Sequence, residues 1–249
     1  MKKFILFLAA AAIGTVSFAQ TFPADIQEID PDFSIQLDQK LGDYLKNKKQ
    51  EADQMLIGAA SMGNKDFVAA ALRQGANINV KDKYGKTALM WASYSGETAV
   101  VKLLINKKAN VNIKGSDNST ALLEACWHPV TEILNALIAA KADLNVIDNN
   151  GLSPVMLTAW KNHKEALKVL IAAKANLNIR DKKGMTPLMI AAFVGHEDIV
   201  KILINAKANI NAKDNSGNIA EDWAAQAGHK KIAGLLKAAR IKSFSLKAL

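Results

Sequence analysis

The single cysteine of this chain, Cys126, lies in the segment Ala125-Cys126-Trp127-His128. A thiol beside an imidazole could be a nucleophile with its base, or two ligands of a metal. Helical spacing argues against the first pairing, because residues i and i+2 do not face each other. Three further histidines, His163, His196 and His229, recur every 33 residues and suggest a zinc row. Stacked units at such a period stand too far apart to share one tetrahedral ion. No glycine-rich phosphate loop, zincin motif or Ser-His-Asp pattern accompanies these residues. The expectation is that the chain is not an enzyme and holds no metal and no cofactor.

The elements that carry these residues form a repeat. "ANIN" at Ala76–Asn79 returns as "ANVN" at Ala109, "ADLN" at Ala142, "ANLN" at Ala175 and "ANIN" at Ala208, each step 33 residues. Gly85, Asn118, Gly151, Gly184 and Gly217 keep the same period. So do the segments "TALMWAS", "TALLEAC", "SPVMLTA" and "TPLMIAA". Each unit reads as a turn that needs a left-handed residue, then an N-cap at Thr87, Thr120, Ser153 or Thr186. Pro154 and Pro187 suit the first helical position. A short alanine-rich helix follows, broken at Gly96, Pro129, Asn162, Gly195 or Gly228. The second helix has an apolar stripe, such as Val100, Leu103 and Leu104 or Ile199, Ile202 and Leu203. One such pair cannot bury its apolar face, but stacked neighbours can.

The period and the "TPLMIAA" segment resemble the ankyrin repeat family, whose signature at this point is TPLHxA. The closest unit is "DKKGMTPLMIAAFVGHEDIVKILINAKANINAK", residues 181–213. The resemblance implies an all-α solenoid of stacked helix-turn-helix units with β-turn or hairpin tips. The expected organisation is a signal peptide at 1–19 and an N-terminal extension at 20–48, extended to about residue 36 and then forming a short leading helix. Six repeats would fill 49–243 (49–81, 82–114, 115–147, 148–180, 181–213 and 214–243), the outer two acting as caps. A tail at 244–249 would complete the chain, with the segment from Ile241 loose or lying on the last helix.

The chain departs from the family pattern twice. Where the family has His after TPL, this chain has Met90, Leu123, Met156 and Met189, which points to burial instead of hydrogen bonding. Where the family has Gly before the "ANxN" turn, this chain keeps Gly75 but then uses Lys108, Lys141, Lys174 and Lys207. If the left-handed turn is retained, each lysine costs about 1 kcal/mol. A helix C-terminus returns roughly 0.3–1 kcal/mol to a nearby cation. The alternative is that the row serves an anionic partner.

In phase with the repeat, Cys126 aligns with Ser93, Ala159 and Ala192 and reads as a small buried residue. The next position holds Tyr94, Trp127, Trp160 and Phe193. In ankyrin proteins this position lies on the concave binding face, and clustered exposed rings mark interaction sites. The expected partner-binding set is therefore Tyr94, Trp127, Trp160 and Phe193 with His128 and Lys161. The turn tips would add Lys83, Tyr84, Lys86, Lys182 and Lys183. "GH" at the three repeating histidines is ordinary for the family.

The N-terminus sets the compartment. Lys2 and Lys3, the apolar run from Phe4 to Val16, and Ser17 and Ala19 before Gln20 form a bacterial-type secretory signal. The run is shorter than the roughly 20 residues of a membrane-spanning helix. Its removal with Lys2 and Lys3 lowers the net charge from +9 to +7. A basic exported chain favours acidic partners, and export disfavours nucleic acid. The expectation is a non-enzymatic interaction scaffold, periplasmic or secreted and monomeric, with no membrane span after cleavage. It would hold a protein partner with an acidic patch in its groove. A secreted effector that binds a host protein is the alternative.

Overall fold

The computed structural model describes residues 31–245. Expectations for residues 1–30, the signal peptide among them, and for 246–249 lie outside the described residues. The chain divides into two compact units, 1–48 and 49–249. Of the first, the described part is the start of helix α1 (Pro31–Ser61). Pro31 stands at the helix start, where its missing N–H costs nothing, and no second proline interrupts the run to Ser61. The expected extended segment and short leading helix are therefore corrected. Residues 31–36 are already helical, and one helix runs to Ser61.

The second unit is the stack. After α1 come α2 (Lys65–Arg73), α3 (Ala88–Ser95), α4 (Thr98–Asn106), α5 (Ala121–Ala125) and α6 (Thr131–Ala139). Then follow α7 (Pro154–Trp160), α8 (Lys164–Ala172), α9 (Pro187–Val194), α10 (Glu197–Asn205), α11 (Ala220–Gln226) and α12 (Lys230–Ser245). Residues from Ile241 to Ser245 continue α12 and do not form a separate tail. Among the described residues there is no strand, and the tips are turns with one isolated antiparallel bridge, Lys81 to Thr87. First helices pack on first helices of the next unit and second on second. The core is correspondingly columnar: Leu104, Leu137, Leu170, Leu203 and Leu236 are all fully buried. Met90, Leu123, Met156 and Met189 are buried too, so burial replaces the histidine network at that position.

Local polar chemistry fixes the units in phase. The hydroxyls of Thr87, Thr120, Ser153 and Thr186 accept the N3 backbone N–H of α3, α5, α7 and α9 at 3.3–3.4 Å. In the tips, one carboxylate oxygen each of Asp82, Asp148, Asp181 and Asp214 accepts two backbone N–H groups. The remaining tip has Gly115 there, and Asp117 accepts the Ser119 N–H at 3.0 Å instead. Adjacent tips join through backbone bonds, such as Ser116 N–H to the Tyr84 carbonyl at 3.3 Å. This requires Gly85, which has φ +73 and whose added Cβ would lie 2.6 Å from the Ser116 nitrogen. The "ANxN" turns are also cross-links. Asn79, Asn112, Asn145 and Asn178 accept the backbone N–H of Asn110, Asp143, Asn176 and Asn209 in the next unit at 2.8–2.9 Å. At the first turn, Asp53 of α1 takes the acceptor role, binding the Asn77 N–H at 2.6 Å.

Candidate partner-binding face

Tyr94, Trp160 and Phe193 sit in the last turns of α3, α7 and α9, and Trp127 lies two residues beyond the end of α5. Gly96 and Gly195 end α3 and α9 in the left-handed region at φ 79 and 91, and Asn162 does the same after α7 at φ 60. Pro129 cannot adopt that conformation, and α5 stops early at Ala125.

The rings meet their neighbours in separate edge-to-face pairs. Trp127 and Trp160 lie 6.1 Å apart, Tyr94 meets His128 at 5.3 Å, and Phe193 meets Trp223 at 5.4 Å. Tyr94, Trp160 and Phe193 are 37%, 41% and 48% exposed. Trp127 is half-buried and packs against the core. The ammonium of Lys161 stands over two rings at once, 4.9 Å from Trp127 and 4.5 Å from Trp160. Such cation–π contacts hold a lysine in place while leaving its charge outward.

The three repeating histidines brace this row from behind. His163, His196 and His229 point a ring Nε2 at the backbone carbonyls of Trp127, Trp160 and Phe193, at 3.3, 3.0 and 3.1 Å. Each ring must therefore carry its proton on Nε2. Burial lowers the pKa of His163, and the charges of Lys161 and His128 add to that against the bond to the Trp127 carbonyl. These causes favour the neutral form of His163, beside the exposed ammonium of Lys161. Sequence reading assigned these histidines no role. Their shared period with the aromatic row, one unit out of step, was the available signal.

At the tips, Lys83, Tyr84, Lys182 and Lys183 are exposed, and the Lys83 ammonium lies 5.0 Å from the Tyr84 ring. Lys182 also reaches the Asn149 carbonyl at 2.6 Å. Lys86 is placed differently. It is half-buried, 2.8 Å from the buried carboxylate of Glu124 and over the rings of Trp91 and Tyr94 at 5.2 and 5.9 Å. Burial raises the Asp117 carboxyl, but hydrogen bonds from Ser119 and the Lys86 charge outweigh it and hold the pKa below its ordinary value. Lys83, Tyr84, Lys86, Trp91, Ser116 and Asp117 line an open cleft of about 510 Å³.

Cys126 is fully buried, and desolvation pushes its thiol up to about 12. A thiolate is the reactive form, so a thiol reagent at pH 8 should leave the native protein unlabelled. Labelling should appear only on unfolding, which a time course in and out of denaturant would read directly. Among the described residues, no group of three His, Cys, Asp or Glu could hold a metal ion. Nor is any described helix long and apolar enough to cross a membrane.

No curated protein matches the chain. A family model that describes three copies of the ankyrin repeat matches the chain over residues 36–115, 56–148, 122–214 and 155–244. These matches overlap across nearly all of the repeating sequence, and with the helix pairs and stacked tips described above they identify the chain as a member of the ankyrin repeat family.

Proposed function

We propose that this protein is a non-enzymatic scaffold, exported from a bacterial cell, that binds a partner protein along its aromatic row. Ankyrin repeats are protein–protein interaction domains, and fold alone does not choose the partner. The observation that carries this reading is the recurrence of a ring at one position in four consecutive units, Tyr94, Trp127, Trp160 and Phe193, with Trp127 and Trp160 in edge-to-face contact and Lys161 fixed across both. Exposed aromatic clusters supply the anchors of interfaces. Lys161 with the tip residues Lys83, Lys182 and Lys183 gives the face a positive rim suited to an acidic patch. The signal-like N-terminus supports an encounter in the periplasm or outside the cell, with the scaffold acting as a monomer.

The test is affinity capture from envelope extract and from culture medium. The chain without residues 1–19 is compared with a Trp160→Ala/Phe193→Ala variant whose circular dichroism and melting match the parent. Two lost anchors should weaken capture about tenfold or more. A partner held equally by both would reassign the rings to packing. Capture from the medium alone would favour the secreted effector.

A further inference from the structure

The four lysines before the "ANxN" turns occupy a place that backbone chemistry would give to glycine. Lys108, Lys141, Lys174 and Lys207 have φ of 66, 66, 65 and 62, so the left-handed turn is retained in every unit. Gly75 holds the same position in the first repeat, at φ 88. Nothing in the fold uses the lysine side chains. All four are exposed, and among the described residues no hydrogen bond or ion pair engages their ammonium groups.

Complementing the helix dipole does not require this position. The last turns of α4, α6, α8 and α10 contain no basic residue. Their exposed positions Asn106, Ala139, Ala172 and Asn205 could take a lysine without strain. Instead the lysine stands past the helix end, on the projecting turn, in four consecutive units. The adjoining turns do not neutralise it. The residues at the matching position are Asn77, Asn110, Asn176 and Asn209, with one carboxylate, Asp143. Stacked helices lie about 10 Å apart, so the row spans about 30 Å with one ammonium per step.

We propose that this row docks the protein on an anionic phospholipid surface. A row of identical, exposed charges, one per unit, complements a ligand that presents negative charge everywhere along a plane. A folded acidic protein would have to repeat its carboxylates at the same interval. This surface lies on different elements from the aromatic row, so membrane docking and partner capture are separable.

The experiment is sedimentation with vesicles of phosphatidylglycerol and phosphatidylcholine, against vesicles of phosphatidylcholine alone, at about 0.1 M salt. A lysine near an anionic surface contributes roughly fivefold to binding. Replacing Lys108, Lys141, Lys174 and Lys207 by Gln should therefore cost roughly several hundredfold. A matched variant, Lys83→Gln/Lys161→Gln/Lys182→Gln/Lys183→Gln, removes the same charge elsewhere and should retain most of the binding. Equal loss in both variants, or no loss in the first, overturns the proposal. So does binding that soluble polyphosphate supports while vesicles do not. A four-fold Lys→Gly variant should melt at or above the parent temperature, because the backbone strain is removed. A lower melting temperature would assign the lysines to the fold and overturn the proposal. Trp160→Ala/Phe193→Ala should bind vesicles as the parent does.

Discussion

Replacing Lys86 with Met is expected to destabilise the fold by about 3–5 kcal/mol, the range for stranding one partner of a buried ion pair. The Glu124 side chain is 3% exposed and its carboxylate lies 2.8 Å from the Lys86 ammonium. Methionine keeps an apolar stem of similar length, so the loss isolates the charge. Glu124→Leu in the Lys86→Met background should restore most of the stability, because Leu157 and Ile190 fill the same position in the next two units. Urea unfolding of the parent, both single variants and the double variant closes the cycle. A cost below about 1 kcal/mol for Lys86→Met would make the pair equivalent to a surface salt bridge.

That pair also shows where sequence reading stopped. Lys86 was legible as a tip lysine, and a tip lysine ordinarily faces solvent. What turned it inward is a substitution in the following unit. In the first and last tips, Trp91 and Trp223 donate their indole N–H to Asp82 and Asp214 at 2.7 and 3.0 Å. The unit between 115 and 147 has Gly115 in place of the aspartate and Glu124 in place of the tryptophan. The acid has moved from the tip onto the helix, and the lysine of the neighbouring unit turns to meet it. Each residue is unremarkable alone. Only the joint departure of two columns carries the signal.

The stack itself was legible because its constraints are local. N-caps, left-handed turns and apolar stripes each leave a mark at a fixed phase, and Thr87, Gly85 and Leu104 would be recognised in any unit. Asn79 and its equivalents were visible as markers, but their bond to the next unit was not, since its partner is a backbone N–H and leaves no side-chain signature. The length of α1 was missed for the opposite reason. From Gln39 to Gln50 it is almost wholly exposed, so no apolar stripe marked it, Gly42 interrupts the pattern, and the absence of a second proline after Pro31 is a weak signal. The aromatic row was legible as a period, yet the degree of burial separates its members. Trp127 is half-buried where Trp160 is exposed, because α5 ends early before Pro129.

Gly195→Ala tests the link between stack and binding face. Gly195 ends α9 at φ +91, and an added Cβ would lie 2.5 Å from Cε1 of His229 in the next unit. The left-handed conformation costs an alanine about 1–2 kcal/mol. Displacing His229 also forfeits its bond to the Phe193 carbonyl, worth roughly 0.5–1.5 kcal/mol. The expected total is about 1.5–3.5 kcal/mol. Gly228→Ala is the internal control, since its φ is +80 but no atom lies within 4 Å of the added Cβ. It should cost only the conformational part. The two variants separate in function as well as stability. His229 fixes the backbone that carries Phe193, so Gly195→Ala should weaken partner capture at temperatures where both variants are folded, and Gly228→Ala should not. Equal stabilities would mean that His229 moves aside without loss. Equal capture despite unequal stabilities would mean that the histidine column supports the stack and leaves the aromatic row unaffected.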